Sequence, residues 1–141
     1  MNAETKSTKT GHPVKVWQHA KLGWHDRQPF STVYQDIYFS TDNGLRETEY
    51  VFLQGNDLPT RWLQTGIKSF TIAETGFGTG LNFLCAAKLW LEAAPHQAVL
   101  HFISVEKHPL AHQDITSALS LWPELTVLST ALLSEYDTLT N

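Results

Sequence analysis

The chain has 141 residues, of which 42% are hydrophobic and 17% are charged, a composition typical of one globular domain. The formal net charge is −4 and the ten Lys and Arg residues are scattered, which argues against a surface that grips a nucleic-acid backbone unaided. The single cysteine, Cys85, excludes an internal disulfide, and its apolar helical setting indicates a packed thiol in a reduced, cytoplasmic protein.

Neither a membrane span nor a metal site is expected. The longest apolar stretch, Leu81–Ala94, is shorter than the ~20 residues of a membrane helix and contains Lys88 and Glu92. No His has zinc-finger spacing with Cys, and the His108/His112 pair lacks the Glu-bearing pattern of a helical zinc site.

The N-terminal part, residues 13–68, is predicted to form a cap that precedes the main sheet. Residues 1–12 are expected to be a flexible tail without a secretory signal, since they lack an apolar segment. Apolar residues that alternate from Val14 to Trp24, followed by the aromatic run Phe30–Phe39, predict a β-hairpin.

Two short helices are predicted to follow the hairpin. Asp42-Asn43-Gly44 offers caps for a helix over Leu45–Gln54, whose apolar face is Leu45, Phe52 and Leu53 and whose C′ residue is Gly55. A second helix is predicted between Asp57 and Gly66 by the same start and stop signals.

Residues 69–141 predict alternating strands and helices. Phe70–Glu74 is a short apolar strand, Leu81–Ala94 is a helix, and Val99–Glu106 is a strand of the kind buried on both faces of a parallel sheet. Pro109 is expected at the first position of the next helix. The buried stripe predicted for that helix is Leu110, Ile115, Ala118, Leu119 and Trp122, and Leu125–Tyr136 predicts another helix. The order β-α-β-α is typical of a doubly wound α/β fold.

A glycine-rich loop joins the first of these strands to its helix. Its residues are Glu74, Thr75, Gly76, Phe77, Gly78, Thr79 and Gly80. Glycines there let the backbone approach a ligand closely, and ligands of such sheets bind at the carboxyl ends of the strands. The alternative is a tight turn that binds nothing.

The spacing separates three nucleotide ligands. A P-loop requires Gly-Lys-Ser/Thr, but Gly80 is followed by Leu81, and the same Leu81 replaces the Gly or Ala of a dinucleotide fingerprint. Glu74 would repel a pyrophosphate, whereas it can pair with the ammonium group of S-adenosylmethionine. Glu106, at the end of the second strand, fits an acid that accepts from ribose hydroxyls, although a surface acid near a helix start is the alternative.

These motifs carry a specific resemblance. The chain resembles the methyltransferase domain of the bacterial tRNA 5-methylaminomethyl-2-thiouridine biosynthesis bifunctional protein. The resemblance is carried by Glu74–Leu84, by His101–Lys107 and by Val33–Leu53, the last through Asp36–Ser40, Asp42–Leu45, Glu47 and Tyr50–Leu53. The resemblance covers roughly positions 20–125. It implies a Rossmann-like S-adenosylmethionine-dependent methyltransferase fold that acts on an aminomethyl group at the wobble uridine of tRNA. In the full protein a C-terminal FAD-dependent oxidoreductase domain follows.

The resemblance also implies site residues. The glycine loop, Glu106 and Lys107 would contact the cofactor, while Tyr38 and Asn43 would line the site; no catalytic base is assigned. Because such domains continue with further strands, the chain is expected to hold only the N-terminal part of the fold. An inactive cofactor-binding or interaction fragment remains an alternative, and a nicotinamide-dependent oxidoreductase is a further one that Leu81 disfavours.

Overall fold

The computed structural model describes residues 18–64 and 66–140. Within them, an N-terminal antiparallel sheet and short helices precede a parallel β-α-β unit, and two more helices follow. The α/β class predicted from the alternation of strands and helices is confirmed. The expected tail at residues 1–12 and the start of the predicted hairpin, Val14 and Val16, lie outside the described residues.

The N-terminal sheet has three strands where the sequence predicted a two-stranded hairpin. Strands β1 (Leu22–His25) and β2 (Gln28–Ser31) pair antiparallel, and β3 (Asp36–Ile37) adds to β2. The β1–β2 turn contains Asp26 and Arg27, both with positive φ, as the common two-residue hairpin turn requires. The predicted run Phe30–Phe39 folds back on itself, because a second turn interrupts it.

The first helical region begins as an α-helix and continues with wider turns. Helix α1 (Gly44–Thr48) is followed directly by a π-helical segment, Glu49–Gln54. Asn43 stands at the N-cap position, but its side chain makes no capping hydrogen bond. The apolar face was predicted wrongly in part: Leu53 is buried, whereas Phe52 is 46% exposed because a π-helical turn shifts the side-chain register.

The second helix, α2 (Leu58–Trp62), lies where it was predicted and buries its last residue completely. Gly55, predicted as the C′ residue of the preceding helix, is its C-cap and has a right-handed φ of −59°. The left-handed residue is Asp57, at φ 50°, which redirects the chain into α2.

The parallel unit positions the site. Strand β4 (Ser69–Thr75), helix α3 (Leu81–Ala93) and strand β5 (Val99–Val105) follow each other, and β4 pairs parallel with β5 along its whole length. All three agree with the sequence prediction within one or two residues. The carboxyl ends of both strands therefore meet at one edge of this sheet, beside the loop that starts α3.

The prediction that β5 is buried on both faces is wrong. Side chains of a strand alternate between the two faces, and in both strands every second residue is exposed. On the covered face, Phe102 packs edge-on against Phe83 of α3, with ring centroids 5.1 Å apart. On the other face, Ile103 and Val105 are 56% and 60% exposed, since no described element covers them.

The C-terminal part packs against the first half. Helix α4 (His112–Leu119) begins three residues later than predicted. Pro109 precedes it and accepts a hydrogen bond from the Ala20 N–H, in the segment before β1, over 3.0 Å. A 3₁₀ turn (Pro123–Leu125) leads into α5 (Thr126–Thr140). The stripe predicted for α4 is buried at every position, although its two end residues lie outside the helix.

Large side chains fill a core between the helices and the covered face of the sheet. Trp62 is fully buried and meets Trp90 edge-on, with ring centroids 5.1 Å apart. Cys85 is buried as predicted, and burial raises the pKa of its thiol to about 12. Within residues 18–64 and 66–140, no helix combines the length and apolar character needed to cross a membrane.

Candidate functional site

The glycine loop lies at the carboxyl end of the parallel sheet. Gly76, Gly78 and Gly80 all have positive φ, at 85°, 55° and 76°, a conformation that glycine adopts at little cost. The Gly76 N–H donates to the carbonyl of Val105, at the end of β5, over 2.7 Å. This hydrogen bond ties the loop after β4 to the end of the neighbouring strand.

Glu106 follows β5 directly and reaches across to the same loop. One carboxylate oxygen, Oε2, accepts a hydrogen bond from the Gly78 N–H at 3.0 Å, and Oε1 accepts from the His108 N–H at 2.8 Å. The two hydrogen bonds hold the carboxylate half-buried at the edge of the sheet. Each oxygen retains a free lone pair, so Glu106 can still accept from the hydroxyl groups of a ligand.

Glu74, near the end of β4, has different surroundings. Its Oε1 accepts from the Ser104 hydroxyl at 2.9 Å, and its Oε2 accepts a longer bond of 3.4 Å from the Asn82 side chain. Burial is the main cause that raises the pKa of Glu74; the charge of Glu106 raises it further, while the two hydrogen bonds oppose the increase. Glu74 is thus held inside the loop-to-helix junction.

An open cleft of about 640 Å³ lies beside the loop. That volume is within the range of small-molecule sites in proteins. Strands β2 and β3, helix α1, the π-helical segment, the glycine loop and the start of α3 all contribute to its lining: Ser31, Tyr34, Asp36, Ile37, Tyr38, Phe39, Ser40, Gly44, Glu47, Thr48, Phe52, Gly76, Phe77, Gly78, Thr79, Leu81, Asn82 and Glu106.

The charges in the cleft all have one sign. Its lining contains the carboxylates of Asp36, Glu47 and Glu106, and none of its described lining residues is Lys, Arg or His. Such a lining attracts a cation and repels phosphate groups. Among the described residues, those of the cleft included, no three His, Cys, Asp or Glu side chains come close enough together to hold a metal ion.

Tyr38 lies over the middle of the glycine loop. A Cβ atom added at Gly78 would lie 3.5 Å from Cδ1 of the Tyr38 ring. Burial, followed by the nearby Glu106 carboxylate, raises the pKa of the Tyr38 phenol, so this group stays neutral near pH 7. The ring forms an apolar wall that stands against the exposed backbone of the loop.

The structure places some of the predicted site residues in the cleft and others beside it. Tyr38, Gly76, Phe77, Gly78, Thr79 and Glu106 line the cleft, whereas Asn43, Glu74, Thr75, Gly80 and Lys107 do not. Gly80 is the buried N-cap residue of α3, where an added Cβ would lie 2.8 Å from the Phe77 ring. Packing within the loop therefore requires a glycine at position 80.

Apart from Tyr38, sequence reasoning missed the cleft-lining residues of the N-terminal cap. Tyr34, Asp36, Glu47 and Phe52 line the cleft but stand more than 20 positions before the glycine loop. The local sequence around each of them predicts only an ordinary turn, strand or helix residue. Only the packing of the cap on the parallel unit brings them to the site.

Comparison with known proteins gives relatives that share most of this chain. No protein-family model matches it. It is 53% identical over 123 residues to the tRNA 5-methylaminomethyl-2-thiouridine biosynthesis bifunctional protein MnmC of Methylobacillus flagellatus. It is 54% identical over 123 residues to that of Chromobacterium violaceum and 52% identical over 122 residues to that of Aeromonas salmonicida. The expected resemblance is confirmed.

The MnmC proteins are much longer than this chain. The matches cover 84–87% of the chain but only 18–19% of each relative, so the chain spans about a fifth of the length of the curated relatives it matches. A continuous match to 87% of the chain must include positions 19–123. The glycine loop, Glu106 and all cleft-lining residues therefore belong to the part shared with MnmC.

Proposed function

We propose that this chain is the cofactor-binding part of an S-adenosylmethionine-dependent tRNA methyltransferase. Its reaction would convert aminomethyl-uridine to methylaminomethyl-uridine at the wobble position. The observation that carries the proposal is the meeting of the glycine loop and Glu106 in one cleft whose charged side chains are all carboxylates. The names of the MnmC relatives, which assign them to the biosynthesis of 5-methylaminomethyl-2-thiouridine in tRNA, support the same reaction.

The cleft fits the chemistry of this cofactor. S-adenosylmethionine carries a sulfonium and an ammonium group but no phosphate, and cationic groups suit a lining that has Asp36, Glu47 and Glu106 and no basic partner. Gly76 offers backbone to the cleft: an added Cβ there would meet no heavy atom within 4 Å. Space for a ligand is therefore present directly against the loop.

The same features oppose the phosphate-bearing alternatives. NAD and ATP each need cationic side chains or free loop N–H groups for their phosphates. Here the Gly78 N–H is already bonded to a carboxylate, and Leu81, with 5% exposure, fills the start of α3. A nicotinamide-dependent oxidoreductase is disfavoured on both counts.

Individual residues have distinct proposed tasks. Glu106 accepts from the ribose hydroxyls, the Gly76–Gly80 backbone supports the aminoacid part of the cofactor, and Tyr38 closes the wall above Gly78. The loop and the strand end are shaped by Thr75, Phe77, Thr79 and Lys107. Asn43 stands at the N-cap of α1, outside the cleft lining. The bound cofactor supplies an electrophilic methyl group, and positioning of a neutral amine in line with it accounts for most of the rate gain.

Glu74 is also assigned to the cofactor, through the charge it places near the aminoacid ammonium. Its hydrogen bond to Asn82, which lines the cleft, suggests a way for it to act from outside the lining. We propose that Glu74 orients Asn82 and adds negative potential behind the loop. No residue is assigned as the base that takes the proton from the amine.

The wider organisation is part of the proposal. Residues 13–68 form the cap and residues 69–141 the first part of a Rossmann-like core, within a longer cytoplasmic protein that binds tRNA and carries FAD in a separate C-terminal oxidoreductase domain. The second candidate is a cofactor-binding or interaction fragment without activity. The open sheet face at Ile103 and Val105 favours that candidate, since it offers a partner an apolar surface.

Isothermal titration calorimetry tests the proposed ligand. The 141-residue chain is titrated separately with S-adenosylmethionine, NAD and ATP. Saturable binding of S-adenosylmethionine with no heat from the other two supports the proposal. Measurable NAD binding with no response to S-adenosylmethionine would overturn it.

A further inference from the structure

Two large aromatic side chains stand exposed at the cleft. Tyr34 is 63% exposed and Phe52 is 46% exposed, and both line the cleft beside the glycine loop. They come from separate elements, the β2–β3 turn and the π-helical segment. Neither is needed to fill the core, so their place in the cleft calls for another reason.

The local backbone holds both side chains at the cleft. The Tyr34 N–H donates to the Ser31 hydroxyl over 3.1 Å, and Gln35, with φ of 55°, completes a tight turn that leaves Tyr34 outside the sheet. Tyr34 also lies near His108, with ring centroids 6.4 Å apart. Phe52 is displaced from the buried side of its helix by the π-helical turns, a distortion often found at functional sites.

Glu47 is the cleft carboxylate that remains available. Glu106 accepts from two backbone N–H groups, and Asp36 accepts from the Ile37 N–H over 2.8 Å. Within the described residues, the structure gives the Glu47 side chain no hydrogen bond or ion pair. An exposed carboxylate in the same cleft as two exposed aromatic side chains suits a planar ligand that carries a cationic substituent.

We propose that Tyr34 and Phe52 form a stacking subsite for a nucleobase, with Glu47 as the partner of an ammonium group on that base. The subsite deepens the proposed function and rests on it: the base is an aminomethyl-substituted pyrimidine presented to the cofactor. The acidic lining excludes phosphate, so the base enters alone, turned out of its strand, while the phosphates stay outside the cleft.

Binding of the free nucleoside 5-aminomethyluridine to the 141-residue chain tests the subsite. Y34L and F52L should each weaken binding about fivefold to a hundredfold, the usual effect of removing a base-stacking aromatic. Y34F should bind like the wild type because it keeps the ring. Y50L is the matched control, since Tyr50 lies on the same π-helical segment, is 71% exposed and does not line the cleft.

A separate measurement tests the pairing of Glu47 with the ammonium group of the base. The wild type should prefer 5-aminomethyluridine to uridine, and E47Q should lose that preference, while E135Q, a change of an exposed acid outside the cleft, should keep it. The 5′-monophosphate of the nucleoside should bind no more tightly than the nucleoside itself. Tighter binding of the monophosphate would contradict the exclusion of phosphate.

Affinity for S-adenosylmethionine, measured on every variant, separates the two proposals. Both leucine changes are at exposed positions, so the fold should be retained, and the subsite predicts a larger loss of affinity for the nucleoside than for S-adenosylmethionine. If the wild type binds S-adenosylmethionine but not the nucleoside, the subsite is refuted and the proposed function stands. The same conclusion follows if Y34L and F52L bind the nucleoside as tightly as the wild type does. If both leucine variants change the oligomeric state instead, the aromatic pair is a protein interface and the subsite is likewise refuted.

Discussion

The ends of the two parallel strands carry an acid each, yet the two acids have different surroundings. Glu106 lines the cleft and accepts from the backbone of the glycine loop, whereas Glu74 accepts from Ser104 and Asn82 and lies outside the lining. From their positions in the sequence, at the ends of adjacent strands, Glu74 and Glu106 are predicted to contact the same ligand in the same way. We propose that Glu106 contacts the ligand and that Glu74 supports the residues around it.

The largest expected effect comes from the loop that joins the two strand ends. Gly78→Val should abolish S-adenosylmethionine binding, because a branched side chain at φ 55° occupies the space where the backbone meets the ligand. Calorimetry on the folded variant measures the loss. Gly66→Val is the control: Gly66 shares the positive φ, an added Cβ there would meet no heavy atom within 4 Å, and the residue is not part of the cleft lining. Retained affinity in folded Gly78→Val would refute the placement of the loop.

Glu106→Ala should have the next largest effect. Loss of hydrogen bonds to a charged acceptor should weaken cofactor binding by about 1.5–3 kcal/mol, and loss of the bonds from the Gly78 and His108 N–H groups should lower the melting temperature. Titration calorimetry and a thermal melt measure the two quantities on the same sample. If the variant binds as tightly as the wild type, Glu106 does not contact the cofactor and is a surface acid that only caps the following turn.

Glu74→Gln should weaken cofactor binding less than Glu106→Ala, by under about tenfold, because glutamine still offers an acceptor to Ser104 and Asn82. The same titration compares the two variants. An effect as large as that of Glu106→Ala would instead mean that Glu74 pairs directly with the cofactor ammonium, the role that the sequence pattern assigns to it.

The smallest expected effect concerns stability and pH. The pKa of Glu74 is raised in the folded chain, so the folded state binds the proton more readily than the unfolded state. Stability due to this group is then present at acid pH and lost as the pH rises through the raised pKa. Glu74→Gln should therefore raise the free energy of unfolding at pH 7, and the gain should vanish below about pH 4, where both states are protonated. Chemical denaturation at both pH values measures it, with Glu135→Gln, a change of an exposed acid outside the cleft, as the control.

The parts of the fold that depend on local pattern were predictable. The strand at Ser69–Thr75, the helix from Leu81 and the strand at Val99–Val105 follow from short apolar runs and a glycine loop, so their bounds were close. Burial was not predictable in the same way. An apolar run such as Val99–Val105 suits a strand covered on both faces, but whether Ile103 is covered depends on which elements pack against it.

The candidate site divides along the same line. The loop and Glu106 were predictable because one short stretch of sequence contains the glycines and the next strand ends in the acid. Tyr34, Glu47 and Phe52 were not, because they reach the cleft through tertiary packing of the cap. The π-helical turn that exposes Phe52 leaves no signal in a pattern that also fits an ordinary helix.

The central claim is that the cleft between the Gly76–Gly80 loop and Glu106 binds S-adenosylmethionine. Backbone amide NMR shifts during a titration test it most directly, since they report the position of the ligand residue by residue. We expect saturable shifts that are largest at Gly76–Gly80 and at residues 106–108, with small shifts along α5 (Thr126–Thr140). Saturable binding whose largest shifts lie outside the cleft-lining residues would contradict the account.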